Sequence, residues 1–222
     1  MNYVFFNCTS LKFLDISSFN TENTGSMKYM FSNCKSLTSI NFGNNFVTNN
    51  VDRMNSLFSN CYSLQSITFP FSVSENAYNL TECFYNCYSL TSINLENFRS
   101  NKINYFNSMF YNCYNLRSID TSKFDFSLAL YTEYMFSGCY SLTSIDFSRS
   151  SVSSIQSYKG MFYDCPNLSF IDISFLTGRF YNSFFNENIS DSGTIVLKKS
   201  YYDDYSSSKN IIPSGWEHNL ID

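Results

Sequence analysis

Thiols and carboxylates are the side chains of this 222-residue sequence that could carry out chemistry. Cysteines can form disulfides, bind a soft metal ion, or stay free as small buried side chains. All but one of the eight cysteines, Cys83, recur at intervals of 26 residues, with a single interval of 27. The recurring members are Cys8, Cys34, Cys61, Cys87, Cys113, Cys139 and Cys165.

Three interpretations of this cysteine series can be weighed from spacing alone. Stacking about 4.8 Å apart would bring neighbours within disulfide range, but side chains on parallel neighbours point the same way. Metal sites usually show C-x-x-C or clustered Cys and His, whereas Cys83 and Cys87 are the one close pair and His218 lies beyond the series. We therefore expect free buried thiols in the recurring series and no metal or cofactor. Cys83 is the exception, because it lies outside the series.

A second series places a polar residue seven positions after each recurring cysteine. The position alternates with apolar residues, so we expect these side chains to face outward from a strand. The last three members are all aspartates and could form a cation or ligand site. Alternatively, Lys123 and Arg149 could offset their charge, or the column could be a solvated edge. The members are Asp15, Asn41, Thr68, Asn94, Asp120, Asp146 and Asp172.

Catalysis is not expected from this sequence. It has one histidine and none of the G-x-S-x-G, G-x-x-x-x-G-K or G-x-G-x-x-G motifs that position nucleophiles, phosphates or dinucleotides. A carboxylate-based site at Asp120, Asp146 and Asp172 is the enzyme hypothesis that remains. We predict a chain that is not an enzyme.

Tyrosines form a third series beside the cysteines. Tyrosine offers a large contact area at low entropic cost, so such columns are typical of binding surfaces, and stacked rings would also stabilise the molecule. Both interpretations stay open. The tyrosines directly after a cysteine are Tyr62, Tyr88, Tyr114 and Tyr140, and Tyr85, Tyr111 and Tyr163 stand two residues before one.

The elements that position these columns belong to one repeated unit, here called a rung. Rung 1 contains Cys8, and the rungs are numbered along the chain to rung 7, which contains Cys165. The unit reads M-F-x-N-C-x-S-L-x-S-I-D/N-F, with Phe three residues before the cysteine, Leu three after and Leu or Ile six after. The L-x-x-I-x-F spacing is that of a leucine-rich-repeat strand. Apolar residues three apart before the Phe, as in Met27 and Met30, predict a short helical turn on the outer side.

A single rung buries too few apolar side chains to offset the ordering of its backbone, so the rungs must stack. The predicted fold is a leucine-rich-repeat-like solenoid, with a parallel sheet on one face and short helical turns and loops on the other. We expect seven rungs and a decayed eighth over residues 1–192, and a cap over residues 193–222 in which Trp216 covers the last rung. A loop within Gly43–Val51 should absorb the residue added in the 27-residue interval.

Charge and hydropathy restrict the partners. A formal charge of −4 without a basic block disfavours nucleic-acid binding. The start shows no basic segment followed by an apolar stretch, and no run approaches 18 apolar residues, so no membrane insertion is expected from this segment. The first rung has no cap before it, which indicates either a fragment with further repeats on its N-terminal side or a rung that meets a partner.

The segments MFSNCKSLTSINF, MFYNCYNLRSID and MFSGCYSLTSIDFS resemble the repeats of BspA-like leucine-rich-repeat surface proteins, in the branch with 26-residue repeats. The resemblance implies a non-catalytic protein-binding module at the cell surface or secreted, engaged in adhesion to host or matrix proteins. It would bind through the polar and tyrosine columns. The alternative is an intracellular leucine-rich-repeat scaffold with the same fold in the cytoplasm.

Overall fold

The fold is given by a computed structural model, which describes residues 1–68, 76–96, 98, 101–150, 155–174, 184–186, 188–199 and 212–222. Short strands recur with the period of the sequence. They are β1 (Phe13–Asp15), β2 (Ser39–Asn41), β3 (Ser66–Thr68), β4 (Ser92–Asn94), β5 (Ser144–Asp146), β6 (Phe170–Asp172), β7 (Gly193–Lys198) and β8 (Trp216–Ile221).

Within the described residues all strand pairs are parallel, and the strands form three sheets with the orders β1-β2, β3-β4 and β5-β6-β7-β8. Within the repeats the pairing offset is one rung, so Leu14 lies beside Ile40 and Ile145 beside Ile171. The predicted parallel solenoid is therefore confirmed. Rung 5 has no strand at the equivalent position, and a 3₁₀ helix over Thr121–Lys123 follows it.

A stack of phenylalanines runs through the core. The Phe three residues before each cysteine lies 5.2–6.0 Å from its counterpart in the next rung, measured between ring centroids, with planes within 12° of parallel. All of them from the second rung onward are fully buried. The stack comprises Phe5, Phe31, Phe58, Phe84, Phe110, Phe136 and Phe162.

The predicted helical turn before each Phe is wrong. In the second rung the amides of Tyr29, Phe31 and Asn33 donate to carbonyls of the third rung at 2.8–3.2 Å, while the amides between them bond locally to the residue three positions back. In a helix every amide beyond the first turn would bond to a carbonyl of its own segment. Apolar residues three apart fit both arrangements, and stacking selects the one that joins the rungs.

The Asn before each cysteine has a conformational role. Asn33, Asn60, Asn86 and Asn112 have φ between 57° and 63°, a left-handed conformation that Asn tolerates better than most residues. Their amides also form a ladder, in which each Nδ2 donates to the Oδ1 of the preceding rung at 2.8–3.0 Å. In rung 6 Gly138 takes this position with φ 75°, and a Cβ there would collide with the Asn112 side chain.

All eight cysteines are free thiols. The recurring cysteines are buried, as predicted, except Cys8 of the first rung, which is exposed because no rung covers it on that side, and Cys83 is buried as well. From the second rung to the seventh, each recurring thiol donates to the carbonyl oxygen of the Phe of the preceding rung at 3.0–3.3 Å. Burial raises the pKa of Cys34 to about 11 and that of Cys165 to about 12. These thiols are thus neutral donors that join the rungs.

The residue added in the 27-residue interval lies between Val47 and Asp52. Thr21 accepts a hydrogen bond from Val47 one 26-residue period away, whereas Asp52 donates to Gly25 across 27 residues. The change occurs in a turn closed by the bond from the Val51 amide to the Thr48 carbonyl. The loop predicted within Gly43–Val51 overlaps this segment.

The C-terminal strands continue the stack with a shorter offset. β7 pairs with β6 so that Ile195 lies beside Ile171, 24 residues apart, and β8 pairs with β7. Trp216 is buried, its ring centroid lies 5.9 Å from that of Phe185, and its indole N–H donates to the Ser190 carbonyl at 2.8 Å. This matches the role expected for Trp216. No helix among the described residues has the length and apolar character to cross a membrane.

We expect Cys113→Ala to lower the free energy of unfolding by about 1–2 kcal/mol, because it removes a buried contact and the thiol bond to the Phe84 carbonyl. Cys8→Ala is the control, since Cys8 is exposed and should change stability by less than about 0.5 kcal/mol. Urea denaturation of both variants measures the difference. Equal losses would contradict the role assigned to the buried thiols.

Candidate binding surface

The residues seven positions after the recurring cysteines, here called the polar column, stand at the ends of strands and close turns. Asp15, Asp146 and Asp172 each accept a hydrogen bond through Oδ1 from the amide of a serine two residues later, at 2.8–2.9 Å. Asn94 accepts in the same way from Glu96, at 2.9 Å. Asp and Asn side chains close such turns at strand ends. Turn formation therefore explains why this position is polar.

The column is regular where its rungs form strands. Asn41 lies beside Asp15 and donates to its carboxylate at 3.1 Å, and Thr68 lies beside Asn94. These four side chains are exposed, as predicted.

Two members depart from the prediction. Asp172 lies beside Asp146 but is only 8% exposed, because β7 extends the sheet on its other side. Asp120 lies outside any strand, and it caps the 3₁₀ helix by accepting the Ser122 amide at 3.1 Å. The cause is Thr121, a polar residue at an inward position, whose hydroxyl bonds to the Asp146 carbonyl. The predicted stack of three aspartates is therefore broken at its first member.

Hydrogen bonds stabilise the ionised carboxylates of Asp15 and Asp146. The Ser17 side chain and amide, with Asn41, lower the pKa of Asp15, and Ser148 lowers the pKa of Asp146 with a smaller electrostatic contribution from Arg149. Within the described ranges, an ion pair joins Asp52 and Arg53, and neither residue belongs to this column. No three His, Cys, Asp or Glu side chains in the described part of the chain are grouped so as to hold a metal ion.

The tyrosines directly after the cysteines form a stacked column. The ring centroids of Tyr62 and Tyr88 are 4.8 Å apart, as are those of Tyr88 and Tyr114, with interplanar angles of 14° and 4°. Tyr140 ends the column edge-on, 5.1 Å from Tyr114, and is 41% exposed. At the other end the Lys35 ammonium lies 5.6 Å above the Tyr62 ring, a cation–π contact.

A second, shorter column stands beside it. The rings of Tyr85 and Tyr111 stack 4.9 Å apart at 6°, whereas Tyr163 makes an edge contact with Tyr134 instead. Burial raises the pKa of Tyr85 and Tyr88, and neighbouring phenols of both columns add to the effect. We call the set Tyr62, Tyr85, Tyr88, Tyr111, Tyr114 and Tyr140 the tyrosine columns.

The tyrosine columns are stacked and half-exposed at once, so neither of the two sequence interpretations excludes the other. The phenols of Tyr85, Tyr88 and Tyr114 stay protonated at neutral pH, because burial and the neighbouring phenols raise their pKa. The columns therefore offer a row of neutral hydroxyls on rigid rings.

Two features of this surface were not predicted. Lys35 occupies the same position after its cysteine as the tyrosines do, so the repeat alignment could have placed it on the column. The interruption between β2 and β3 opens a cavity of about 350 Å³. The 27-residue interval from Cys34 to Cys61 marks this pair of rungs as irregular, but both strands carry the ordinary motif, so the cavity itself was not predicted. Its lining residues are Ser39, Ile40, Phe42, Ser66, Ile67 and Thr68.

Comparisons with known proteins agree with the repeat pattern. The family model described as BspA type leucine rich repeat region matches six copies over residues 55–192. A second family, described as Mycoplasma protein of unknown function, matches residues 1–92. No curated protein matches the chain.

One similar solved structure is a leucine-rich repeat protein from Bacteroides ovatus ATCC 8483. It is 17% identical, and the alignment covers 100% of this chain and 80% of that chain with a TM-score of 0.25. A TM-score this low supports no conclusion about the present chain.

Substitutions at Asp146 test the turn-forming role of the polar column. Asp146→Ala should lower the free energy of unfolding by about 0.5–1 kcal/mol because the Ser148 amide loses its acceptor. Asp146→Asn should stay close to wild type at neutral pH, since Asn94 closes the same turn.

The pH dependence follows from the lowered pKa of Asp146. The stabilisation by its carboxylate is complete above the unfolded-state pKa of 3.8 and is lost as the pH falls through the lower folded-state pKa. Asp146→Asn should lack this part of the acid sensitivity. Urea denaturation from pH 7 to pH 3 measures both effects, and equal destabilisation by Ala and Asn would contradict the assignment.

Proposed function

The chain belongs to the BspA-type leucine-rich-repeat family, and we propose that it is a non-catalytic module that binds another protein through its tyrosine columns. Leucine-rich repeats generally act in protein interactions, which supports this class of function. We further propose that the parent protein acts at the cell surface or is secreted, in adhesion to host or matrix proteins. The intracellular scaffold is the second candidate.

The regular stacking of the tyrosine columns is the observation that carries the proposal. Rings held 4.8–4.9 Å apart by their neighbours lose little conformational freedom when a partner binds. Tyrosine also combines apolar area with a hydroxyl, which favours protein contacts. Many contacts along such a rigid surface can add to useful affinity without a deep pocket.

The polar column is proposed as the flank of this interface. Its exposed members Asp15, Asn94, Asp120 and Asp146 keep oxygen atoms at the surface while closing their turns, and the exposed Asn41 donates to Asp15. Asp172 is buried, so we propose for it a structural contribution only.

A non-catalytic role is supported by the state of the nucleophiles. Burial raises the pKa of the Cys61, Cys113 and Cys139 thiols far above neutral pH, and thiols in that state are poor nucleophiles. We also propose that residues 1–192 form the repeat array and residues 193–222 its cap.

Selection from a phage-displayed library of random 16-residue peptides tests the proposed function. Peptides selected on the wild-type chain should lose at least ten-fold in affinity for the double variant Tyr88→Ala, Tyr114→Ala, because it removes two central rings. The matched control is Tyr105→Ala, Tyr131→Ala, which removes a stacked pair elsewhere on the surface, 5.7 Å apart.

Affinity for the control variant should stay within two-fold of wild type, and thermal denaturation should confirm that both variants are folded. Equal affinity for the wild type and the Tyr88/Tyr114 variant, or equal losses in the two double variants, would contradict binding through the tyrosine columns.

A further inference from the structure

We propose that the tyrosine columns bind a proline-rich segment of the partner in the polyproline II conformation, running along the stacking direction of the rungs. The inference rests on the proposed protein-binding function and specifies the chemistry of the partner. Three properties of the columns support it: their repeat distance, their hydrogen-bonding character and their charge.

The repeat distance fits a polyproline II helix. Successive rings of the main column are 4.8 Å apart, so two intervals make about 9.6 Å. One turn of polyproline II is three residues and about 9.3 Å, so residues i and i+3 would meet equivalent rings on alternate rungs. An extended β-strand repeats every two residues, at about 6.6–6.8 Å, and an α-helix repeats at about 5.4 Å, so both lose register with the column.

The hydrogen-bonding character of the columns also fits this ligand. Tyr85, Tyr88 and Tyr114 present phenols that stay protonated, because their pKa is raised. A row of hydroxyl donors suits a chain with unused acceptors. Polyproline II has no internal hydrogen bonds, so its carbonyls are free to accept, and proline brings no competing N–H.

Ring orientation disfavours ligands that stack on aromatic faces. The faces within the columns lie against each other, at interplanar angles of 4–14°. Nucleic-acid bases bind aromatic platforms face to face and would find these surfaces occupied. Ring edges and hydroxyls of the half-exposed tyrosines remain available.

Charge indicates the direction of the ligand. The Lys35 ammonium marks the Tyr62 end of the main column. Two carboxylates lie near the columns, Glu82 near Tyr85 and Asp164 near Tyr114. Both already have hydrogen-bond partners, since Ser56 donates to Glu82 at 3.0 Å and Asn186 donates to Asp164 at 2.9 Å. We therefore expect an acidic residue of the ligand at the Lys35 end, beside the proline segment.

Fluorescence anisotropy with the full chain and labelled peptides tests this inference. The probes are decaproline, decaproline preceded by two aspartates, and a ten-residue Gly-Ser peptide as the flexible control. Decaproline should bind at least ten-fold more tightly than the Gly-Ser peptide. The aspartates should strengthen binding about three-fold, and Lys35→Gln should remove that gain.

Removal of hydroxyls alone separates hydrogen bonding from ring stacking. The pair Tyr88→Phe, Tyr114→Phe keeps the rings and should weaken decaproline binding about five-fold or more. The control pair Tyr105→Phe, Tyr131→Phe should leave it within two-fold of wild type.

Similar binding of decaproline and the Gly-Ser peptide, or unchanged decaproline affinity in the Tyr88/Tyr114 phenylalanine pair, would overturn the inference. Library-selected peptides that depend on Tyr88 and Tyr114 but lack prolines spaced by three would also overturn it, and they would leave the proposed function standing. Selected peptides that do not depend on these tyrosines would overturn the proposed function itself.

Discussion

Alternate amides of the turn segments are bonded by the next rung. Glu82, Phe84 and Asn86 donate to carbonyls of the following rung at 2.8–2.9 Å, while the amides between them bond three residues back within their own segment. Buried backbone donors left without acceptors are costly, so a rung is complete only in the stack. This alternation fixes the register, and the phenylalanine stack, the thiol bonds and the asparagine ladder all follow that register.

A fixed register turns every repeated residue type into a column. Where the repeated residue is buried, the column becomes core, as with phenylalanine and cysteine. Where it is exposed, the column becomes a surface with a spacing of one rung, as with the tyrosines at 4.8–4.9 Å. The surface thus takes its regularity from the backbone, and the same hydrogen bonds that hold the rungs together set the distance at which a partner would meet the hydroxyls.

The 26-residue spacing of Phe, Cys, Leu and Ile was enough to predict the parallel stack and its core. The path between strands was not predictable in the same way, because Met27 and Met30 fit a helical turn and a left-handed turn equally well. The prediction that Asp120 and Asp172 face outward from a strand was wrong for local reasons. Thr121 replaces an apolar residue and displaces Asp120 from the strand position, and β7 covers Asp172. The tyrosine columns were visible in the sequence. The 27-residue interval marked the rungs of β2 and β3 as irregular, but it did not predict that the two strands separate and leave a cavity.

Amide hydrogen exchange of Glu82, Phe84 and Asn86 tests the central claim most directly. If the next rung supplies their acceptors, these amides should exchange as slowly as those of the flanking residues Cys83 and Tyr85, through openings close in free energy to global unfolding. Fast exchange of Glu82, Phe84 and Asn86 beside protected local bonds would contradict the stacked register and the surfaces built on it.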